Sequence, residues 1–400
     1  MTDIDRALEE IRDRGLLRRM RMISGPQGPR VLLDGRPVLL LCSNNYLGLA
    51  DHPRVREAAS EAAMRYGAGA GASRLISGTM RIHRRLEERL CEFKRSEAAL
   101  LFGSGYLANT GVVQALARKG QVVFSDELNH ASIVDGCRLA GAETFVYRHA
   151  DFEHLAWGLE QAEGRGSLIA TDGVFSMDGD VAPLAEIVEL AREHDVRVMV
   201  DEAHGTGAIG PEGRGAVAAA GLEDEVDVVV GTLGKALGSY GAYVCCAKSM
   251  SQYLVNTART FIFSTAPAPP SVAGAMAALE LLREQPRRVE KLQRNAAVLR
   301  GALAEHGLGT VPGDTQILPV LIGGAGEAVA ASEQALRRGV FVQAIRPPTV
   351  PEGTSRLRLT VMASHTKSEL RDAAKTIAKA AAGARRSARA EVFDGLVEAA

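Results

Sequence analysis

The chain has 400 residues, and its 47 Lys and Arg side chains nearly balance its 48 Asp and Glu, which gives a formal net charge of -1. Single hydrophobic cores stop growing at about 250 to 300 residues, so a chain of this length predicts more than one domain. The balanced charge provides no strong field for a nucleic acid or an anionic membrane surface, so neither partner is expected. Small-molecule chemistry is the favoured class of function.

Five cysteines are scattered along the chain, at Cys42, Cys91, Cys137, Cys245 and Cys246. Their odd number argues against a secreted disulfide framework, and their spacing matches no metal-binding pattern, so no metal is expected. The N-terminus lacks the apolar core of a signal peptide, and no apolar run reaches membrane-spanning length. A cytoplasmic protein is therefore predicted.

Two local patterns come first along the chain. Ile4, Leu8 and Ile11 recur at helical spacing and predict an amphipathic helix that ends near Gly15. Asp34-Gly35 lies between two apolar runs, and both residues tolerate the positive φ of a tight turn, which predicts a hairpin. We therefore expect an N-terminal arm made of a helix and a hairpin.

Short apolar strands then alternate with helical patterns. Strands are predicted over 98–102, 122–125, 143–147, 167–172, 197–200, 228–230 and 241–246. This alternation predicts an α/β domain with a mostly parallel sheet covered by helices. Helices over 273–284, 289–305, 327–338 and 367–382 and strands over 317–322, 341–344 and 356–360 predict a smaller α+β domain. The predicted divisions are an arm over 1–50, a large domain over 51–290, a small C-terminal domain over 291–382 and a tail over 383–400.

Polar residues follow two of the early strands, at the edge where open parallel sheets bind ligands. Ser104-Gly105-Tyr106 opens a helix after the strand over 98–102, and the free N–H groups of a helix N-terminus can hold a phosphate. His130 follows the strand over 122–125, where an imidazole could stack on a flat ligand. An ordinary βα turn and a capping histidine explain the same residues, and both alternatives stay open at this point.

A carboxylate and a histidine follow the strand over 197–200. Asp201 comes directly after apolar residues, where a carboxylate is costly to bury without a positive partner. A protonated pyridine nitrogen would be such a partner, and His204 could then reach a phenolic oxygen on the same ring. A zinc site is excluded, because neither H-E-x-x-H nor paired cysteine spacing accompanies these residues.

A lysine among small residues follows the strand over 228–230. In the run Gly231-Thr232-Leu233-Gly234-Lys235 the glycines remove bulk around Lys235, and burial there would lower the pKa of its amine and make it a nucleophile for a carbonyl. The alternative is a lysine on a surface loop. A phosphate-binding P-loop is excluded, because Val229 and Ala236 stand where it requires glycine and a hydroxyl. The glycine-rich segment 67–74 does not complete a dinucleotide fingerprint, which argues against a nicotinamide-dependent dehydrogenase.

Four motifs in order and spacing resemble the α-oxoamine synthases, which are pyridoxal-phosphate enzymes of the aspartate aminotransferase fold (fold type I). They are Asn129-His130, Phe175-Ser176-Met177-Asp178-Gly179, Asp201-Glu202-Ala203-His204 and Gly231-Thr232-Leu233-Gly234-Lys235. The resemblance covers about residues 17–382. It implies a pyridoxal 5'-phosphate cofactor, an acyltransferase activity and an obligate homodimer with its active site at the subunit interface.

The resemblance also implies roles for individual residues. Lys235 would carry the cofactor as a Schiff base, Asp201 would pair with the ring nitrogen, and His130 would stack on the ring. His204 and Ser176 would bond the phenolic oxygen. The phosphate would be held by Ser104, Gly105, Tyr106 and Thr232, and by Ser264 and Thr265 of the other subunit. The amino-acid carboxylate would be bound by Asn44 and Arg358. The acyl substrate would be contacted by Thr349 and by Arg18, with Arg21 as the alternative to Arg18.

Within the family, the loop Arg346-Pro347-Pro348-Thr349-Val350-Pro351 before Arg356-Leu357-Arg358-Leu359 is similar to the member of the biotin pathway. That resemblance implies decarboxylative condensation of L-alanine with a pimeloyl thioester, either pimeloyl-CoA or pimeloyl-acyl carrier protein. The nearest alternative within the family uses glycine and acetyl-CoA. An alternative of another class is a non-catalytic binding protein of the same fold, although no DNA-binding module or basic arm precedes the domain.

Overall fold

The computed structural model describes residues 2–14, 16–311 and 313–398, of which residues 387–398 are described by their backbone alone. The strands, numbered along the chain, are β1 (Ile23–Ser24), β2 (Arg30–Leu33), β3 (Arg36–Leu40), β4 (Ala98–Phe102), β5 (Val122–Asp126), β6 (Glu143–Tyr147), β7 (Gly166–Asp172), β8 (Arg197–Asp201), β9 (Val228–Thr232), β10 (Ala242–Cys246), β11 (Ile317–Gly323), β12 (Val340–Phe341), β13 (Gln343–Ile345) and β14 (Ser355–Thr360).

The helices are α1 (Asp3–Asp13), α2 (Pro53–Tyr66), α3 (Arg81–Lys94), α4 (Gly105–Leu116), α5 (Ala131–Ala140), α6 (Phe152–Gln161), α7 (Leu184–Glu193), α8 (Ala216–Ala220), α9 (Lys248–Thr257), α10 (Arg259–Ile262), α11 (Pro269–Glu284), α12 (Arg287–Glu305), α13 (Ala325–Arg337) and α14 (Lys367–Glu398). Within the described ranges, no helix combines the length and the apolar character needed to cross a bilayer.

The chain forms two compact units. The large unit holds Asn45–Ser176 and Asp180–Lys291, and the small unit holds the described residues of Met1–Asn44, Met177–Gly179 and Leu292–Ala400.

A single mixed sheet forms the centre of the large unit, whose residues are all described. Its seven strands lie in the order β4-β10-β9-β8-β7-β5-β6, and all pairs are parallel except those that β10 makes with β4 and β9. Neighbouring residues of one strand point to opposite faces: Val123 belongs to the buried cluster that includes Val112 of α4, and Phe124 belongs to the one that includes Leu155 of α6. Both faces are therefore buried under helices, which explains the continuous apolar strands and confirms the predicted α/β domain with a mostly parallel sheet.

The small unit contains two short sheets, with strand orders β1-β2-β3-β12 and β11-β14-β13. The predicted hairpin is confirmed, since β2 and β3 are joined at Asp34 and Gly35 with φ of 48° and 78°. The single strand predicted over 341–344 is wrong. β12 pairs in parallel with β3, whereas β13 pairs antiparallel with β14, so the chain changes sheets at Val342. The last helix was predicted to end at Ala382, but α14 runs on to Glu398.

Candidate active site

The loop that carries Lys235 is shaped by glycines on either side of it. A Cβ on Gly231, in β9, would lie 2.2 Å from the ring of the fully buried Tyr243, and Gly238 has a φ of +58° with its Cβ position 2.4 Å from the backbone nitrogen of Ala50. Both positions therefore require glycine. The half-buried Lys235 directs its Nζ to His204 Nε2, at 2.9 Å.

His204 lies between Lys235 and a tyrosine. Its Nδ1 lies 2.6 Å from the hydroxyl of Tyr46, a side chain with no exposed surface. The two ring nitrogens of a neutral histidine share one proton, so the hydrogen bond at Nδ1 determines whether Nε2 faces Lys235 as a donor or as an acceptor. Sequence reasoning missed Tyr46, because nothing in a tyrosine 158 residues away from His204 signals this contact.

Asp201, at the end of β8, is a carboxylate with 4% of its surface exposed. Its Oδ1 accepts a hydrogen bond from the backbone of Ala203 (2.8 Å) and its Oδ2 accepts one from Asn109 Nδ2 (2.6 Å). Among the described residues, Asp201 forms no ion pair with a lysine, arginine or histidine. A buried carboxylate with this set of neutral donors fits a protonated pyridine nitrogen as its positive partner.

His130 caps the N-terminus of α5. Its Nδ1 accepts a hydrogen bond from the backbone of Ser132 (3.2 Å) and lies 2.7 Å from the Ser132 hydroxyl. Burial lowers the pKa of His130, the charge of Asp201 raises it and the charge of Lys235 lowers it, with a net lowering. The imidazole is therefore neutral at pH 7, as a ring that stacks on a cofactor would be. His130 therefore caps α5, which was the alternative considered above, and also lies among the site residues.

Asn109 of α4 joins two of these groups, and sequence reasoning missed it. Its Nδ2 donates to Ser132 Oγ (2.8 Å) and to Asp201 Oδ2 (2.6 Å). Asn109 thus connects the hydrogen bonds of His130 to those of Asp201. A signal was available, because an asparagine on the buried side of an apolar helix requires polar partners.

The turn that opens α4 has the features of an anion site. Ser104 caps the helix by accepting a hydrogen bond from the backbone of Leu107 (3.2 Å). A Cβ on Gly105 would meet nothing within 4 Å, so the backbone there faces open space. The hydroxyl of Tyr106 donates to Asp135 (2.6 Å). Thr232 Oγ1 donates to the carbonyl of Gly241 and accepts from the backbone of Gly234, each at 3.1 Å.

Besides Ser104 and Thr232, three further serine and threonine side chains were expected from the resemblance to reach the cofactor. Ser176, 9% exposed, lies in the loop after β7. Ser264 Oγ lies 3.9 Å from the position of a Cβ on Gly103, so this serine is beside the α4 turn of its own chain, and Thr265 forms a bridge with Ser73. The family resemblance had placed Ser264 and Thr265 at the turn of the other subunit.

The small unit holds the residues expected to bind substrate. Arg358 of β14 is buried, and its two terminal nitrogens lie 3.4 Å from Asn44 Oδ1. The guanidinium also acts on nearby Cys42, whose pKa burial raises to about 12 against the opposing charge of Arg358. Arginine presents a planar fork of donors, so this arrangement can hold a carboxylate in two-point contact.

Arg18 and Arg21 differ in their surroundings. Arg21 forms ion pairs with Asp34 (3.8 Å) and with Glu333, whereas Arg18 is exposed. Arg346, which begins the proline-rich loop, donates to the carbonyl of Leu17 (3.0 Å) and so ties this loop to the segment before Arg18. The exposed Thr349 lies in the same loop. These contacts favour Arg18 over Arg21 as the residue that faces an acyl substrate.

The chain is similar in sequence to a known protein family and to individual proteins. The model of the aminotransferase class I and II family matches residues 36–377. The 8-amino-7-oxononanoate synthase of Geobacter sulfurreducens is 51% identical over 375 residues, which cover 93% of this chain and 96% of that protein.

Two solved structures extend the similarity to the fold. A variant of serine palmitoyltransferase from S. paucimobilis with a bound PLP-myriocin aldimine has a TM-score of 0.90 and 32% identity, covering 95% of this chain and 97% of its own. An 8-amino-7-oxononanoate synthase from Francisella tularensis has a TM-score of 0.75 and 26% identity, covering 86% of this chain and 97% of its own. The predicted fold class, fold type I of the pyridoxal-phosphate enzymes, is confirmed.

Proposed function

The chain belongs to the aminotransferase class I and II family, and we propose that it catalyses the reaction of 8-amino-7-oxononanoate synthase. L-Alanine condenses with a pimeloyl thioester, and the products are 8-amino-7-oxononanoate, carbon dioxide and the free thiol, a step of biotin biosynthesis. Relatives that carry this name at 51% and 52% identity support the substrates, and they confirm the resemblance inferred from the motifs.

The buried carboxylate of Asp201 is the structural observation that carries the proposal. It lies with His130 and Lys235 at one edge of the sheet, accepts only neutral hydrogen bonds, and so suits the protonated ring nitrogen of pyridoxal 5'-phosphate. Ser104, Gly105, Tyr106 and Thr232 would hold the phosphate, and Ser264 and Thr265 are proposed to assist them. Ser176 and His204 would bond the phenolic oxygen.

Bound pyridoxal phosphate supplies a ring that accepts the negative charge formed at the α-carbon of an amino acid. Lys235 would hold the cofactor through Nζ and, once alanine has taken its place, its amine would move the α-proton. His204 Nε2, 2.9 Å from Nζ, is placed to exchange a proton with that amine. Asp201 would keep the ring nitrogen protonated, and the neutral His130 would cover the ring without adding charge.

The small unit would recognise both substrates. Arg358 and Asn44 would bind the carboxylate of alanine, and Arg18 and Thr349 would face the pimeloyl chain. We also propose a homodimer, as the family resemblance implies, and a cytoplasmic location, as the cysteine pattern predicts. The donor is either pimeloyl-CoA or pimeloyl-acyl carrier protein.

Thiol release tests the choice of substrate. Holoenzyme is assayed with L-alanine and pimeloyl-CoA, with L-alanine and pimeloyl-acyl carrier protein, and with glycine and acetyl-CoA. We expect alanine with a pimeloyl donor to give the highest kcat/KM. A clear preference for glycine with acetyl-CoA would contradict the proposal. One methyl group supplies only about 1–3 kcal/mol of discrimination, so the competing amino acids are compared under identical conditions.

Lys235→Ala tests the cofactor lysine independently of substrate. The wild-type holoenzyme should be yellow and should retain cofactor covalently after borohydride reduction. The variant should retain none, and retention of reduced cofactor by the variant would rule out Lys235 as the attachment site.

A further inference from the structure

His149 lies between two carboxylates of the large unit, outside the residues described so far. Its Nδ1 is 3.0 Å from Asp126 Oδ1, and its Nε2 is 2.8 Å from Asp180 Oδ2. Ionised carboxylates only accept hydrogen bonds, so both ring nitrogens must donate, which requires the imidazolium form. Burial lowers the pKa of His149, but the hydrogen bonds and charges of Asp126 and Asp180 outweigh burial and raise it to about 10.

Asp126 organises the turn that leads to His130. Its Oδ1 also accepts a hydrogen bond from the backbone of Leu128 (2.8 Å), and its carbonyl accepts one from the backbone of Asn129 (3.1 Å). His130 is the next residue. The position of the Asp126 carboxylate therefore determines how the chain leaves β5 and where the imidazole of His130 is placed.

Asp180 closes the loop that carries Ser176. Its carbonyl accepts a hydrogen bond from the backbone of Phe175 (3.0 Å), directly before Ser176. The ring of Phe175 meets the ring of His149 edge to face, with centroids 4.4 Å apart and planes at 88°. Asp180 Oδ1 is buried and has no hydrogen-bond partner among the described residues. The contact between Asp180 Oδ2 and His149 is therefore the main interaction that offsets the cost of burying this carboxylate.

We infer that His149 is a positioning residue, which locks the turn carrying His130 to the loop carrying Ser176 by bridging Asp126 and Asp180. The inference deepens the proposed function, because His130 and Ser176 act on the cofactor only if the site binds pyridoxal phosphate. His149 itself touches no reacting group. Its loss should therefore disturb the cofactor through the two loops, and not through a lost contact to the cofactor.

Two substitutions separate the two halves of the bridge. In His149→Asn the amide nitrogen takes the place of Nδ1, and in His149→Gln it takes the place of Nε2, while both variants lose the positive charge. His154→Gln is the matched control, because His154 is also half-buried and accepts a hydrogen bond from the backbone of Arg148 (3.0 Å) but does not join the two loops.

The main readout is the dissociation constant of pyridoxal phosphate, measured with its absorption spectrum in the absence of both substrates. Loss of partners that orient binding groups costs about 10- to 100-fold in affinity at metal sites, and we expect a weakening of about tenfold here for His149→Asn and His149→Gln. We also expect a changed absorption spectrum of the bound cofactor, since Ser176 is displaced. His154→Gln should stay within about twofold of wild type.

Asp180→Asn breaks the same bridge from the other side and serves if the His149 variants do not fold. It should weaken cofactor binding in the same direction, and in the double variant Asp180→Asn/His149→Gln the two losses should be less than additive. A melting temperature that falls in these variants while cofactor affinity and spectrum match wild type would overturn the inference. Because no substrate is present, a wrong choice of alanine or of the acyl donor leaves this test intact. Failure of the wild-type protein to bind pyridoxal phosphate would instead refute the proposed function.

Discussion

Replacing Tyr46 with phenylalanine tests how His204 is held against Lys235. The substitution removes the hydroxyl 2.6 Å from His204 Nδ1 and keeps the buried ring. A buried polar group left without its partner costs about 1–3 kcal/mol, and about 1.4 kcal/mol corresponds to a factor of ten. We therefore expect kcat/KM for alanine to fall by about 5- to 140-fold, because the tautomer of His204 that faces Lys235 is no longer favoured.

Tyr243→Phe is a matched control for the loss of a buried hydroxyl. Its hydroxyl lies 2.8 Å from Thr206 Oγ1, and its ring is as fully buried as that of Tyr46. Both variants should melt at lower temperature than wild type, but only Tyr46→Phe should shift the pH titration of the absorption of bound cofactor. If both variants lose stability equally and neither changes this titration or kcat/KM, Tyr46 has no role beyond packing.

Three further predictions follow from the geometry. Gly231→Ala should lower the melting temperature, because overpacking against Tyr243 costs about 1–3 kcal/mol. Gly234→Ala should not lower it, since the added Cβ comes no closer than 3.5 Å to another atom. Equal melting temperatures for the two variants would refute the packing argument. Arg358→Lys removes the planar fork and should raise KM for alanine about tenfold, with little change in KM for the acyl donor; an unchanged alanine KM would exclude Arg358 from carboxylate binding. The pKa of His149 rises from an ordinary 6.5 to about 10 on folding, so its stabilisation is fully present below pH 6.5 and is lost as the pH rises towards 10. The melting difference between wild type and His149→Gln should therefore narrow across that range, and a constant difference would argue against a charged His149.

The central parallel strands β5, β7, β8 and β9 were predictable because they are almost entirely buried and largely apolar. β12 and β13 were not separated, because one pairs with the distant β3 and the other with the nearby β14, and the short stretch 340–345 carries no signal of which strand each part joins. Helix α14 was ended too early because the residues after Ala382 lose clear amphipathic spacing while keeping strong helix formers, alanine and arginine.

The site residues divide into those that the sequence pattern could identify and those that it could not. Asp201 and His130 were identifiable because polar residues at the carboxyl ends of parallel strands share one edge of a sheet. Tyr46 and Asn109 act through contacts to residues 158 and 92 positions away, so the tertiary fold determines their partners. His149 is recognisable only after the structure brings two carboxylates to its ring.

Two neighbouring carboxylates show how the fold assigns different roles to the same chemical group. Asp172 and Asp201 are directly opposite each other at the ends of β7 and β8, both buried, and two such charges cannot easily coexist. Burial, and after it the charge of Asp201, raise the pKa of Asp172 well above its ordinary value. Asp201 accepts hydrogen bonds from Asn109 and from the backbone of Ala203. Asp172 instead accepts a hydrogen bond from the backbone of His130 (2.7 Å), so it positions that histidine, whereas Asp201 is the carboxylate proposed to meet the ring nitrogen.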